Sequence, residues 1–452
     1  MEKSRKILSN KWFKFGLWAT LYSLWVVWLG SYWWFLGLPI IFDLYITKKV
    51  KWAFWRKVYK KGEKRNVWLD WLDAIIFALV AATFIKMFFI EAYVIPTGSM
   101  EQSLMTGDYL FVSKMRYGPK VPQTPLSIPL IHNVIPVLGN ESYVTWIRND
   151  YRRMAGYAKV KRNDIVVFNF PHGDSVLKKA PFIIDYHRYV RSYGRKETLQ
   201  RYGPVVARPV DKRDNYVKRC VAVAGDSLEV RNGWVFINGT AQEEIPGLQS
   251  TYEVITNGTA INERILDRMG ISLADLYFDS QLPGYRDMVL TLDNVKEIKK
   301  LGTVVEVRPN IDFYPPDYPD SPLDIFPYYE HFRWTRDQYG PLWIPKSGVT
   351  VELTLDNLPI YQRIISFYEG NELVVKEDQI YINNVPCDQY TFKMDYYFMM
   401  GDNRHNSYDS RYWGFVPEDH VVGTPSFVWF STDSYKSFPK NIRWKRIFRS
   451  AR

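Results

Sequence analysis

Two cysteines, Cys220 and Cys387, are all that 452 residues contain. That scarcity excludes a disulfide-stapled framework and any Cys-rich zinc or iron–sulfur module. The two lie in different β-like regions, and no disulfide is assigned to them. Histidines number six and never form H-E-x-x-H, which argues against a zincin-type metalloprotease. Beyond residue 66 the chain has no net charge: 45 basic side chains face 45 acidic ones. The excess of +11 therefore lies wholly in residues 1–66, where 14 Lys and Arg meet three acids. A pI near 9.2 would ordinarily suggest nucleic acid. With no basic domain behind it, nucleic acid is not an expected partner. Aromatics at 17%, including 17 Trp, exclude global disorder, and the length allows two or three domains.

What is present at the N-terminus reads as membrane topology. Between two basic clusters runs an apolar stretch from Phe15 to Ile46, and a second runs from Trp71 to about Tyr93. A spanning helix needs about 20 apolar residues, and flanking Lys and Arg stay cytoplasmic. The first stretch would make one helix of about 48 Å, against a hydrocarbon core of about 30 Å. Gly30-Ser31 near its middle suits a turn. Two short spans, Trp12–Leu29 and Tyr32–Thr47, keep both basic clusters inside, and a third exports the rest. This three-span reading is preferred to two spans, and both place residues after about 95 outside. No small-x-small cleavage site follows the first run, so it reads as an uncleaved anchor. Asp73 and Lys86, inside the last apolar segment, read as interfacial and snorkelling residues; intramembrane function is the minor alternative.

The exported part changes character. Short runs such as DYLFVSK, DIVVFNF, YVKRCVAVAG and YYFMMGD alternate with Gly, Pro and Asn turns. That texture predicts a mainly β, sheet-and-barrel architecture. SLEVRNGWVFINGT (227–240) and ELVVKEDQIYINNV (372–385) share a strand–turn–strand pattern. A repeat interrupted by an insertion and two unrelated hairpins with similar turns would look alike. The expected organisation is a membrane anchor over 1–94 with a basic loop at 48–66, a β-rich domain over 95–240 and 372–452, and an inserted non-catalytic cap over 241–371.

Three segments could carry chemistry. IPTGSMEQSLMTGDYL places Ser99 in a loop beside Gly98, a common arrangement with little weight alone. NYVKRCVAVAGDSLEV places Lys218 among apolar neighbours. Desolvation there would lower its pKa and free the amine as a base, although a solvated edge-strand lysine is the more usual reading. MMGDNRHNSYDSRYWGFVPEDHVVG holds Asp402, Arg404, Asp409 and Arg411, which could simply tie a loop. His405 reads as a loop residue, because no Asp stands at a recognisable spacing from it.

In this order, behind a membrane anchor, PTGSM, RNDIVVFNFP, YVKRCVAVAGD, GDNRHNSYDSRYWGFVPE and the basic NIRWKRIF resemble the type I signal peptidases, the bacterial leader peptidase family. The aromatic-rich anchor and GDNRHNS are similar to Bacteroidetes forms. The resemblance covers most of the chain outside the insertion. It implies a β-sheet/barrel catalytic domain behind transmembrane helices, and a serine endopeptidase that removes signal peptides from preproteins after small residues, Ala-x-Ala. Ser99 would be the nucleophile and Lys218 the general base. Ser407 would orient the lysine, and Thr97 would join the Ser99 N–H in the oxyanion hole. Tyr93, Ile95, Met100, Leu104, Tyr216 and Val217 would surround the pockets for the −1 and −3 residues. Core packing is the alternative for each of these six. Arg219 with Asp402, and Asp409 with Arg411, would be supporting ion pairs. Exposed Met100 and Met105 would contact lipid. No metal or cofactor is implied. The implied partners are signal peptides, the lipid bilayer and the secretion translocon; the implied location is the bacterial inner membrane, with the catalytic domain periplasmic. A catalytically dead scaffold and a cell-wall binder using the aromatic insertion are the competing readings. Intact Ser99, Lys218 and Ser407 argue against the first.

Overall fold

The computed structural model describes residues 10–30, 32–50, 67–171, 176–177, 186–272, 276–279, 281, 283–314, 324–433 and 436–451. Most of the basic 48–66 loop, and the N-terminal cluster up to residue 9, lie outside the described residues. The chain divides into two compact units, Met1–Phe89 with Gly118–Tyr157, and Ile90–Tyr117 with Ala158–Arg452.

In the first unit, helix α1 (Lys11–Leu29) starts at Asn10, whose side chain accepts the Trp12 N–H. It stops at Gly30, which takes the left-handed conformation (φ 66°) and caps the Val26 and Val27 carbonyls. The chain then folds back through short helical turns. The Trp12 and Phe15 rings meet Phe42 at 6.5 and 5.4 Å, so the two arms form a hairpin about the expected turn. Helix α2 (Val67–Phe88) is the one described helix long and apolar enough to cross a membrane; the 34–47 stretch is apolar but shorter. Lys86 on α2 donates to the Leu130 carbonyl at 3.4 Å. Residues 118–157, inside the 95–240 segment of the sequence reading, pack with these helices. Met154 joins Leu29 and Phe88 in one buried cluster, and the Trp28 indole donates to the Ala155 carbonyl.

The second unit is mainly β. Its centre is a curled, seven-stranded antiparallel sheet of β1 (Ile90–Val94), β2 (Asp108–Ser113), β3 (Ile165–Asn169), β4 (Asn215–Ala222), β5 (Tyr396–Met400), β6 (Val416–Pro417) and β7 (Val421–Ser431). Their order is β1-β2-β7-β3-β4-β5-β6, so the last strand inserts between the second and third. Strand β3 reads IVVFN and is buried throughout, because both faces are covered. Strand β2 alternates: Leu110 and Val112 point to the core, while Tyr109 meets Trp429 of β7 edge-on and Phe111 meets Phe427 at a tilt.

The two similar hairpins are the same device. Ser227–Arg231 pairs with Trp234–Ile237, and Leu373–Lys376 pairs with Gln379–Ile382. Both turn through two left-handed residues, Asn232-Gly233 and Glu377-Asp378. Both then use an Asn to tie back to the first strand. Asn238 Oδ1 accepts the Ser227 N–H, and Asn383 Oδ1 accepts the Glu372 N–H. Both hairpins contribute to one large core.

Within 241–371, a three-stranded sheet of Gln249–Thr256, Gly284–Thr291 and Val304–Pro309 builds its own core with two short helices. Beyond it the chain returns: Tyr339–Trp343 pairs with Ser227–Arg231 and joins the large core.

Candidate active site

Ser99 and Lys218 meet. Ser99 sits in a single 3₁₀ turn, Gly98–Met100, between β1 and β2. Lys218 lies in β4 opposite Val166 of β3. Its Nζ donates to Ser99 Oγ at 2.5 Å, and both side chains are buried. Alternation on β4 puts Tyr216, Lys218 and Cys220 on one face and Val217, Arg219 and Val221 on the other. That face is apolar, so burial drives the ammonium pKa down to about 8; Asp409 and Asp402 pull it up, and Arg411 pushes it down. An ordinary lysine is neutral about once in a thousand at pH 7.4, and this one about once in five. A neutral amine against a hydroxyl can take its proton and leave an attacking alkoxide.

The loop after β5 holds the pair in place. Asn403 donates its N–H to the Ser99 carbonyl at 3.1 Å. Gly401 is there because nothing larger fits: a Cβ on it would lie 2.6 Å from the Ser99 carbonyl and closer still to Ser407 Oγ. Asp402 takes a two-pronged ion pair from Arg219 (2.7 and 2.6 Å) and the Ser103 hydroxyl at 2.5 Å. Asp409 takes Arg411 at 2.9 and 2.8 Å together with the Gly401 N–H at 3.1 Å. Burial works against the Asp409 carboxylate, but Arg411 and these hydrogen bonds keep its pKa below the usual range. Ser407 is buried in this loop; its hydroxyl leans toward Asp409, and no hydrogen bond joins it to Lys218.

Beside the pair lies a cavity of about 140 Å³, lined by Tyr93, Ile95, Thr97, Leu110, Val167, Tyr216 and Val217 as well as Ser99 and Lys218. Four of the six expected pocket residues are therefore at its wall, and Thr97 is exposed there. Met100 and Leu104 are not at that wall. Both are fully buried with Ile95, Leu110 and Ile165, as the floor beneath the Ser99 turn. The expectation of an exposed, lipid-facing Met100 is corrected accordingly: the turn aims its side chain into the core, and Met105 is only half-exposed.

Three contributors went unassigned in the sequence. Asp108, fully buried, accepts the Met105 N–H, the Ser431 hydroxyl and the Arg446 guanidinium, and so clamps the segment after Ser99. Arg446 belongs to the basic NIRWKRIF, a motif noticed without a role. Asp337 pairs with His405: Nδ1 accepts the Thr251 N–H, so Nε2 donates to Asp337 at 3.0 Å. His405 lies in a loop, as expected, and its Asp partner comes from far along the chain. The pairing crosses 68 residues, and no local spacing signals it.

A family model described as signal peptidase, peptidase S26, matches residues 68–268 and 387–430. The chain is 23% identical over 423 residues to Signal peptidase I of Buchnera aphidicola (subsp. Acyrthosiphon pisum), covering 92% of this chain and 94% of that one. It is likewise 23% identical over 392 residues to Signal peptidase I of Helicobacter pylori, with 84% and 91% covered. Over 52 residues, 11% of this chain and 17% of the relative, it is 56% identical to the Signal peptidase I of Buchnera aphidicola (subsp. Schizaphis graminum). With a mainly β unit behind an apolar helix, and a family match over more than half its length, the chain belongs to the signal peptidase family, peptidase S26.

Proposed function

We propose that the protein removes signal peptides from exported preproteins with a Ser99–Lys218 dyad. The observation that carries this reading is the 2.5 Å hydrogen bond between two buried side chains, one of them a lysine driven toward neutrality. Neutral Lys218 takes the Ser99 proton as Oγ attacks the scissile carbonyl. The tetrahedral oxyanion is received by the Ser99 N–H and the Thr97 hydroxyl. Collapse expels the mature protein's amine, which takes the proton from Lys218. The amine of Lys218 then activates water to release the acyl-enzyme. Ser407 and the two ion pairs position these groups.

The neighbouring cavity, about 140 Å³ with an apolar wall, has room for two small apolar side chains, −1 and −3, side by side, in keeping with the Ala-x-Ala reading. Helix α2 passes directly into β1, with Ser99 a few residues further on. We place the enzyme in the inner membrane, with the α1 hairpin and α2 as three spans and the catalytic unit outside. The exposed aromatic face of Trp429 and Phe448 is compatible with contact to lipid; the secretion translocon would deliver substrate.

The test is processing of a preprotein by wild type, Ser99→Ala and Lys218→Ala. Both variants should be inactive, and a substrate with Phe in place of Ala at −1 should resist wild type. Full processing by either variant would overturn the dyad. Cysteine labelling of the N-terminus should find it cytoplasmic; labelling from outside would favour two spans.

A further inference from the structure

A second cavity, of about 190 Å³, opens where the Ser227–Ile237 hairpin, the inserted sheet and the loop after β5 meet. Arg404 lines it. Only 6% of Arg404 is exposed, yet among the described residues its guanidinium makes no hydrogen bond or ion pair, and its Nε is left orphaned. The carboxylates nearby are already engaged, Asp402 by Arg219 and Asp409 by Arg411. Asp337 is held by His405. Burial and the Arg411 charge lower the Arg404 pKa to about 10, against the pull of Asp402 and Asp409. A buried, unpaired charge is costly unless something pairs with it.

The rest of the lining says what that something is. Trp234, Leu248, Tyr252, Leu292 and Ile311 give an apolar wall. Glu243 and Glu244 stand exposed at the edge, where they repel polyanions and favour an ammonium. We propose that this cavity binds an α-carboxylate bearing an apolar side chain, the carboxylate pairing with Arg404 and the side chain lying on the Trp234–Tyr252 wall. A guanidinium fork matches a carboxylate in two-pronged fashion. The ligand is either a free amino acid or the C-terminus of a short peptide. It sits close to the catalytic turn in the chain: Arg404 donates its N–H to the Gln249 carbonyl, and Asn403 donates to Ser99. The site does not depend on the dyad, and its test reads binding rather than cleavage.

The full chain in nanodiscs is titrated with leucine, N-acetylleucine and leucinamide, with saturation-transfer NMR and thermal unfolding as readouts. Saturable millimolar or tighter binding is expected for leucine, N-acetylleucine or both, and none for leucinamide. Leucine alone identifies a free amino acid, N-acetylleucine alone a peptide terminus. Arg404→Gln should weaken binding by at least about tenfold, as loss of a charge-assisted pair implies. Trp234→Ala, at a half-exposed hairpin position, should weaken it too, and keeps the test standing if Arg404→Gln does not fold. Absence of saturation, equal binding of leucinamide, preference for inorganic phosphate, or unchanged affinity in the variants that fold would each overturn the proposal.

Discussion

Lys218 is where one residue's environment decides whether chemistry is available. Its folded pKa, about 8, lies below the ordinary 10.5. Activity should therefore rise with pH through about 8, read as kcat/KM on a peptide substrate; a profile flat from pH 6 to 10 would remove the general base. The same shift has a stability sign. Between about pH 8 and 10.5 the unfolded chain binds more protons than the folded one, so stability rises with pH across that window. Below it the full penalty stands, about 3 kcal/mol. Lys218→Met should thus be inactive yet melt higher than wild type at pH 7, with the gain gone near pH 11. Gly401 is the second sensitive residue. Gly401→Ala forces Ser407 or the Ser99 carbonyl aside, and kcat/KM should drop by about 100-fold with folding retained. Ser99 and Lys218 were legible because each stands in a local motif. Asp337 was not, because it meets His405 only through tertiary folding.

At the scale of elements, the paired hairpins were readable from their strand–turn–strand texture, and the structure shows why. Two-residue turns with both residues left-handed demand Asn, Asp or Gly, and a following Asn closes back on the strand. The second hairpin spends Glu377 and Asp378 on those positions, at φ 49° and 63°. Replacing them with Asn-Gly, as in the first hairpin, should stabilise the protein by about 1 kcal/mol and raise its Tm by a few degrees. A fall in Tm would mean that those two side chains hold something. The clamp between Asp108 and Arg446 was illegible, since it joins β2 to the C-terminal segment. Breaking a buried pair of this kind typically costs about 3–5 kcal/mol. Arg446→Ala should lose that much in denaturant unfolding, and with it the placement of the Ser99 turn. Strand β2 was legible as a β run but not in its facing, since Tyr109 to Val112 are all apolar, and Met100 was misplaced because a one-turn 3₁₀ element has no periodicity to read.

Across the whole molecule, charge tells two stories. The basic excess belongs to residues 1–66, and the rest is neutral, with its strongest ion pairs buried. Buried pairs are little screened, and a region without net charge gives little long-range steering. Peptide cleavage should then change by less than about twofold between about 50 and 500 mM salt; a steep salt dependence would reveal a charged docking surface. Composition showed this much, but not the strand order, which depends on contacts far apart in sequence. That order also sets when the proposed dyad can assemble. Ser99 hangs from the β1–β2 hairpin and Lys218 from the β3–β4 pair, and the strand that joins them, β7, follows both in the chain. A ribosome must release residues 421–431 before base and nucleophile can be held together. On the proposed dyad, a chain cut or arrested before β7 should thus be inert, because nothing then bridges nucleophile and base.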